Sequence, residues 1–117
     1  MKRTLALILL ACIGYHTQGG AETPPMNRDT SAGKRIFDRS CGACHAPGTR
    51  NPGTASLAAK YGKEKPAALE QREDLTPDLV SYFVRHGVSI MPPFRKTEIT
   101  DEELQDLGAY LGRDRAK

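Results

Sequence analysis

Tryptophan is absent from this chain of 117 residues, and hydrophobic side chains make up only 38% of it. A domain this small buries a modest share of its surface, and such chains often lean on a metal, a disulfide or a cofactor. The composition therefore argues against a self-sufficient core and for a large apolar ligand. Cysteine is scarce as well. There are three, and beyond the first 21 residues only Cys41, Cys44, His45 and His86 remain as thiol or imidazole groups. A closed tetrahedral zinc site would have to use all of them. No block of lysine and arginine occurs. The formal charge is +3, but Lys2 and Arg3 sit in an N-terminal leader, and without them 15 basic side chains face 14 acidic ones. That balance removes the electrostatic argument for nucleic-acid binding.

Long apolar runs are missing too. The one apolar stretch, Leu5 to Ala11, follows Met1-Lys2-Arg3 and is too short to span a bilayer as a helix. With the small residues Gly19, Gly20 and Ala21 behind it, residues 1–21 read as a removable signal peptide, which implies a periplasmic protein. Leu9-Leu10-Ala11-Cys12 resembles a lipobox, with Leu10 where a smaller residue is preferred, so a lipid anchor on Cys12 is the alternative to soluble export. Residues 22–29, rich in proline and polar groups, read as a flexible lead-in to a domain over 30–114.

Inside that domain three helices are expected, with no convincing strand, so the fold class is all-α. The first begins near Asp29, Thr30 or Ser31 and runs toward Ser40, with Ile36 and Phe37 inward and Gly33 allowing another helix to approach. The second has Thr76 as N-cap, Pro77 in the first turn, Leu79, Val80, Phe83 and Val84 as its apolar residues, and Gly87 past its end. The third starts at Thr100, with Glu103 completing a capping box and Leu104, Leu107, Tyr110 and Leu111 on one side. Between them, residues 46–74 read as loop with short helices over 56–61 and 66–71. Val88 to Phe94 cannot be helical, because Pro92 and Pro93 remove two backbone donors and force extended geometry before them.

The chemistry lies in Cys41-Gly42-Ala43-Cys44-His45, a C-x-x-C-H pattern. Two thiols at this spacing each reach one of two neighbouring vinyl carbons of a single haem, and the next residue brings an imidazole to the iron. A thioredoxin-like redox pair would need a βαβ context, which is missing. An electron carrier changes geometry least when its iron is six-coordinate, so a second axial ligand is expected, and a methionine raises the potential. Met91, in the proline-stiffened loop between two helices, is the candidate; His86 is the rival, and Met26 lies in the lead-in. Pro52 is a candidate carbonyl acceptor for the other nitrogen of His45. Arg50 and Arg85 are candidate partners for the haem propionates.

Gly33, Phe37, the C-x-x-C-H motif, Met91 with its prolines, and Leu107, Tyr110 and Leu111 together resemble class I cytochromes c. The resemblance implies that the first and last helices cross near Gly33 and Tyr110 and enclose one covalent haem c with its iron, held by Cys41, Cys44, His45 and Met91. A narrower likeness lies in Val84-Arg85-His86-Gly87, Ile90 to Phe94 and Thr100 to Leu104. These segments look like the cytochrome subunit of p-cresol methylhydroxylase-type flavocytochromes. That likeness implies an electron-transfer protein without catalytic residues of its own, whose donor is an FAD-containing dehydrogenase of alkylphenol type and whose acceptor is a downstream cytochrome or oxidase. The segment from His45 to Thr76 is longer than in that subunit. A freely diffusing respiratory carrier is the alternative, and a haem enzyme or sensor a more distant one. Replacing both Cys41 and Cys44 by alanine is expected to abolish covalent haem attachment; haem that still resists acid-solvent extraction would refute this site.

Overall fold

A computed structural model describes residues 30–112. The leader over 1–21, the lead-in over 22–29 and the last two positions of the expected domain lie outside the described residues. Among those described, the chain forms five α-helices and one 3-10 turn, and no strand. They are α1 (Thr30–Ser40), α2 (Gly42–His45), α3 (Pro52–Tyr61), the 3-10 turn Leu69–Gln71, α4 (Pro77–His86) and α5 (Asp101–Leu111).

The three expected helices form where their local signals place them. Thr76 caps α4 by accepting from the Leu79 amide at 3.2 Å. Thr100 and Glu103 close the capping box of α5, at 3.1 Å from the Glu103 amide to the Thr100 hydroxyl and 2.9 Å from the Thr100 amide to the Glu103 carboxylate. The intervening segment is more ordered than expected. α3 begins at Pro52, four residues before the helix expected from Ser56. Asn51 donates to the Ala46 carbonyl at 2.8 Å and to the Pro47 carbonyl at 3.1 Å, and the Thr54 hydroxyl donates to the Ala46 carbonyl at 2.8 Å. Those bonds fold the turn after His45 back onto the start of α3. Only Leu69–Gln71 of the second short helix forms, as a 3-10 turn.

α5 is the element on which α1 and α4 pack. A Cβ added at Gly33 would stand 2.3 Å from the Asp106 carbonyl oxygen and 2.4 Å from Tyr110 Cβ, so α1 and α5 meet backbone to backbone there. This is the crossing that the class I resemblance implies. On another face of α5, Cβ atoms at Gly108 and Gly112 would lie 3.2 Å and 2.8 Å from Pro77, so the start of α4 rests on the same helix. Phe37, Ile99 and Leu107 are fully buried between these elements. The long connection from α3 to α4 is held by a charged cluster. Buried Arg72 makes a two-pronged bond to Asp74 at 2.8 and 2.7 Å, and its guanidinium lies 4.9 Å from the Tyr61 ring centre. The two cations, Arg72 first and Lys65 second, hold the Asp74 carboxyl well below the usual carboxylate range. Tyr110 donates to Glu70 and so ties the 3-10 turn to the helix crossing.

Gly33→Ala is expected to destabilise the fold by at least the upper end of the ~1–3 kcal/mol typical of overpacking, read as a fall in melting temperature. Gly42→Ala, whose Cβ would meet only the Phe37 carbonyl at 3.6 Å, is expected to leave it unchanged or raise it. Equal effects at the two glycines would contradict the packing role of Gly33.

Candidate functional site

The helical direction of α1 carries on past Ser40. The Cys41 amide donates to the Phe37 carbonyl at 2.8 Å, and the Cys44 and His45 amides both donate to the Cys41 carbonyl, at 3.0 and 2.9 Å. This tight turn places Cys41, Cys44 and His45 on the wall of one cavity of about 430 Å³. Met91, Pro92, Val88 and Ile90 from the loop after α4 form another wall, and Leu57 and Phe94 add apolar surface. The four residues expected to hold a haem therefore line the same space. His86 does not line it. Its ring stacks on Tyr82 with centroids 4.4 Å apart, and its Nδ1 lies 2.7 Å from the Tyr82 carbonyl, on the exposed side of α4.

The loop carrying Met91 is locked from several directions. Val88 and Met91 exchange backbone bonds at 3.0 and 2.9 Å, which closes a tight turn in which Ser89 takes φ of 54°. A non-glycine residue there carries a conformational cost that the surrounding bonds must offset. Gly87 is required at φ of 67°, and a Cβ there would sit 2.5 Å from the Met91 carbonyl oxygen. The Phe94 amide returns to the Val84 carbonyl at 2.8 Å. Arg85, expected from sequence to serve a propionate, is used here instead. It donates to the Phe94 carbonyl at 3.0 Å, the Ile99 carbonyl at 2.9 Å and the Asp101 carboxylate at 3.0 Å. Arg50 is exposed and does not line the cavity.

His45 is held by shape. A Cβ at Gly53 would lie 2.6 Å from its Cε1 and 2.8 Å from its Nδ1, so the imidazole packs directly on the α3 backbone. Burial pushes its pKa down, which keeps the ring neutral and leaves a lone pair for a metal. Its Nδ1 is buried without a hydrogen-bond partner. The expected acceptor, the Pro52 carbonyl, is turned along the helix that Pro52 opens and accepts from the Ser56 hydroxyl at 2.9 Å.

The surroundings of the thiols are not those of a reactive redox pair. Burial, with the neighbouring Cys44 second, pushes the Cys41 thiol up to about 11. A reactive dithiol lowers a thiol pKa. Among the described residues, no group of three or more His, Cys, Asp or Glu side chains is placed to hold a metal. Two thiols, a neutral imidazole and a thioether around an apolar cavity fit a covalent haem in donor chemistry.

Comparison with known proteins gives the family. The family model described as cytochrome c oxidase, cbb3-type, subunit III matches residues 28–111, and the chain belongs to that family of class I c-type cytochrome domains. It is similar to cytochrome c6 of Synechococcus elongatus, at 37% identity over 89 residues covering 76% of this chain and 94% of that protein. It is similar also to cytochrome c6 of a Picosynechococcus species, at 30% identity over 112 residues covering 95% of this chain and 92% of the relative. Photosystem II extrinsic protein V of a Synechococcus species is 29% identical over 108 residues, covering 79% of this chain and 61% of that protein. The chain is accordingly an electron-transfer protein rather than an enzyme, with one covalently attached haem c and its iron. Among the described residues no helix is long and apolar enough to cross a membrane.

Arg85→Met removes the donor to two loop carbonyls and is expected to cost about 1–3 kcal/mol. Hydrogen exchange at the Met91 and Phe94 amides should speed up before that of Leu107 in α5. Exchange at the loop unchanged from the parent protein would refute the clamp.

Proposed function

We propose that this chain is a periplasmic mono-haem electron carrier in which Cys41 and Cys44 tether the haem and His45 and Met91 take the two axial positions. The observation that carries the reading is that all four side chains line one apolar cavity. When bound, the haem supplies the one-electron couple. The protein's own residues hold and tune it. His45 is positioned by its contact with Gly53, and Met91 is presented by a loop bonded at Val88, Phe94 and Arg85. A ligand fixed on both sides moves little between oxidation states, and a methionine favours ferrous iron. Val88 and Ile90, 51% and 72% exposed, leave an apolar rim through which an electron passes to a partner. The leader over 1–21 directs export in this reading, with Cys12 lipidation as the variant form.

A mobile carrier is the form that similarity to the two cytochromes c6 supports. The second reading is a subunit or acceptor for an FAD-containing dehydrogenase of alkylphenol type. It rests on the likeness of Val84 to Gly87 and Ile90 to Phe94 to p-cresol methylhydroxylase-type cytochromes. In either case a downstream cytochrome or oxidase takes the electron. Gel filtration of protein purified gently from its native host distinguishes them. Haem absorbance alone at monomer size is the expected result, and co-eluting flavin fluorescence would replace the mobile carrier with the flavocytochrome. For the ligand set, Met91→Ala is expected to keep covalent haem and lower the midpoint potential, and an unchanged potential would remove Met91 from the iron.

A further inference from the structure

α3 presents Gly53, Ser56, Leu57 and Lys60 to the cavity, the spacing of one helical face. The start of that face is anchored, because Gly53 lies against the His45 ring and the Cys44 carbonyl. Lys60 comes seven residues later, roughly 10 Å further along the helix. Lys60 therefore stands at the end of that helical face remote from Gly53, with its ammonium 5.3 Å from the Tyr61 ring centre. Among the described residues it is the only lysine or arginine lining this cavity.

Charge at that end is unbalanced. Lys60, Lys65 and Arg72 gather around Tyr61 at 5.3, 5.6 and 4.9 Å from its ring centre. Asp74 pairs with Lys65 and Arg72, each at 2.7 Å. Among the described residues Lys60 makes no ion pair with any carboxylate. A haem has the complementary asymmetry, since its two propionates project from the edge opposite its vinyl carbons. A haem tethered through its vinyl edge at Cys41 and Cys44 would have its carboxylates at the edge away from the thiols, and Lys60 would be the cation to receive one of them.

We propose that Lys60 is the positioning cation for a haem propionate, seating the polar edge of the cofactor and raising its potential. This inference rests on the haem reading above and takes over the role expected of Arg85, whose donors are committed to Phe94, Ile99 and Asp101. A neutralised propionate no longer stabilises ferric iron, so its cation favours the reduced state. Lys60 is exposed on a helix surface, so its replacement is compatible with folding.

The test uses the full holoprotein with Lys60→Gln, Lys60→Arg and, as a control on an exposed lysine that does not line the cavity, Lys63→Gln. Covalent haem is checked first by acid-solvent extraction. Midpoint potential is then read by equilibrium titration, and the propionate bending band by resonance Raman. Lys60→Gln is expected to lower the potential and shift the band, Lys60→Arg to restore both, and Lys63→Gln to leave both at the parent values. A Lys60→Gln protein that keeps its haem and matches Lys63→Gln on both readouts overturns the Lys60 assignment and leaves the haem site standing. A parent protein without covalent haem overturns both.

Discussion

Backbone contact at glycine on α5 is the constraint from which the rest of the arrangement follows. Helices normally pack with their axes 8–10 Å apart, with side chains between them. At Gly33 there is no room for even a methyl group, because the Asp106 carbonyl and Tyr110 Cβ occupy its place. α1 is thereby set against α5 in one position, and the turn that continues from α1 carries Cys41, Cys44 and His45 to one wall of the cavity. Gly108 and Gly112 receive Pro77 in the same manner and fix α4 on another face of α5. The far end of α4 launches the loop that carries Met91. The two walls of the cavity are thus both suspended from a single helix.

An electron carrier gains from such rigidity. Geometry that is the same in both oxidation states lowers the rearrangement that accompanies transfer, and here the rigidity is built from unlike devices on the two sides. The imidazole side relies on steric contact with Gly53 and on the turn closed by Asn51 and Thr54. The thioether side relies on hydrogen bonds, with Arg85 donating to the Phe94 and Ile99 carbonyls. Ser89, held at positive φ inside that network, is the one non-glycine residue among those described that takes this conformation. Its cost is offset by the bonds on either side of it.

The helices over 77–86 and 101–111 were legible because their signals are local: a capping side chain, a proline in the first turn, a glycine past the end. The C-x-x-C-H spacing was legible for the same reason, since five adjacent residues carry it. α3 starts four residues earlier than the sequence indicates, because the bonds that settle the turn before it run back from Asn51 and Thr54 to Ala46. The Pro52 carbonyl, a candidate acceptor for His45 on sequence, takes the direction that a helix imposes on its first carbonyl and accepts from Ser56. Arg85 reads in the sequence as a free cation near a helix end, and only the packing of α4 on α5 places it among the Phe94 and Ile99 carbonyls; Lys60, which α3 carries to the cavity, has no sequence signal of that place. His86 left the ligand field for a similarly tertiary reason, its stacking on Tyr82 along the exposed side of α4.

The central proposal is that His45 and Met91, which line one cavity, are the two protein ligands of the haem iron. Near-infrared magnetic circular dichroism of the ferric protein reads the axial pair directly, because each combination of ligands places its charge-transfer band differently. The account predicts the histidine–methionine band in the parent protein at neutral pH. A band of the bis-histidine or the histidine–water type would contradict it, and would detach Met91 and its locked loop from the chemistry of the site.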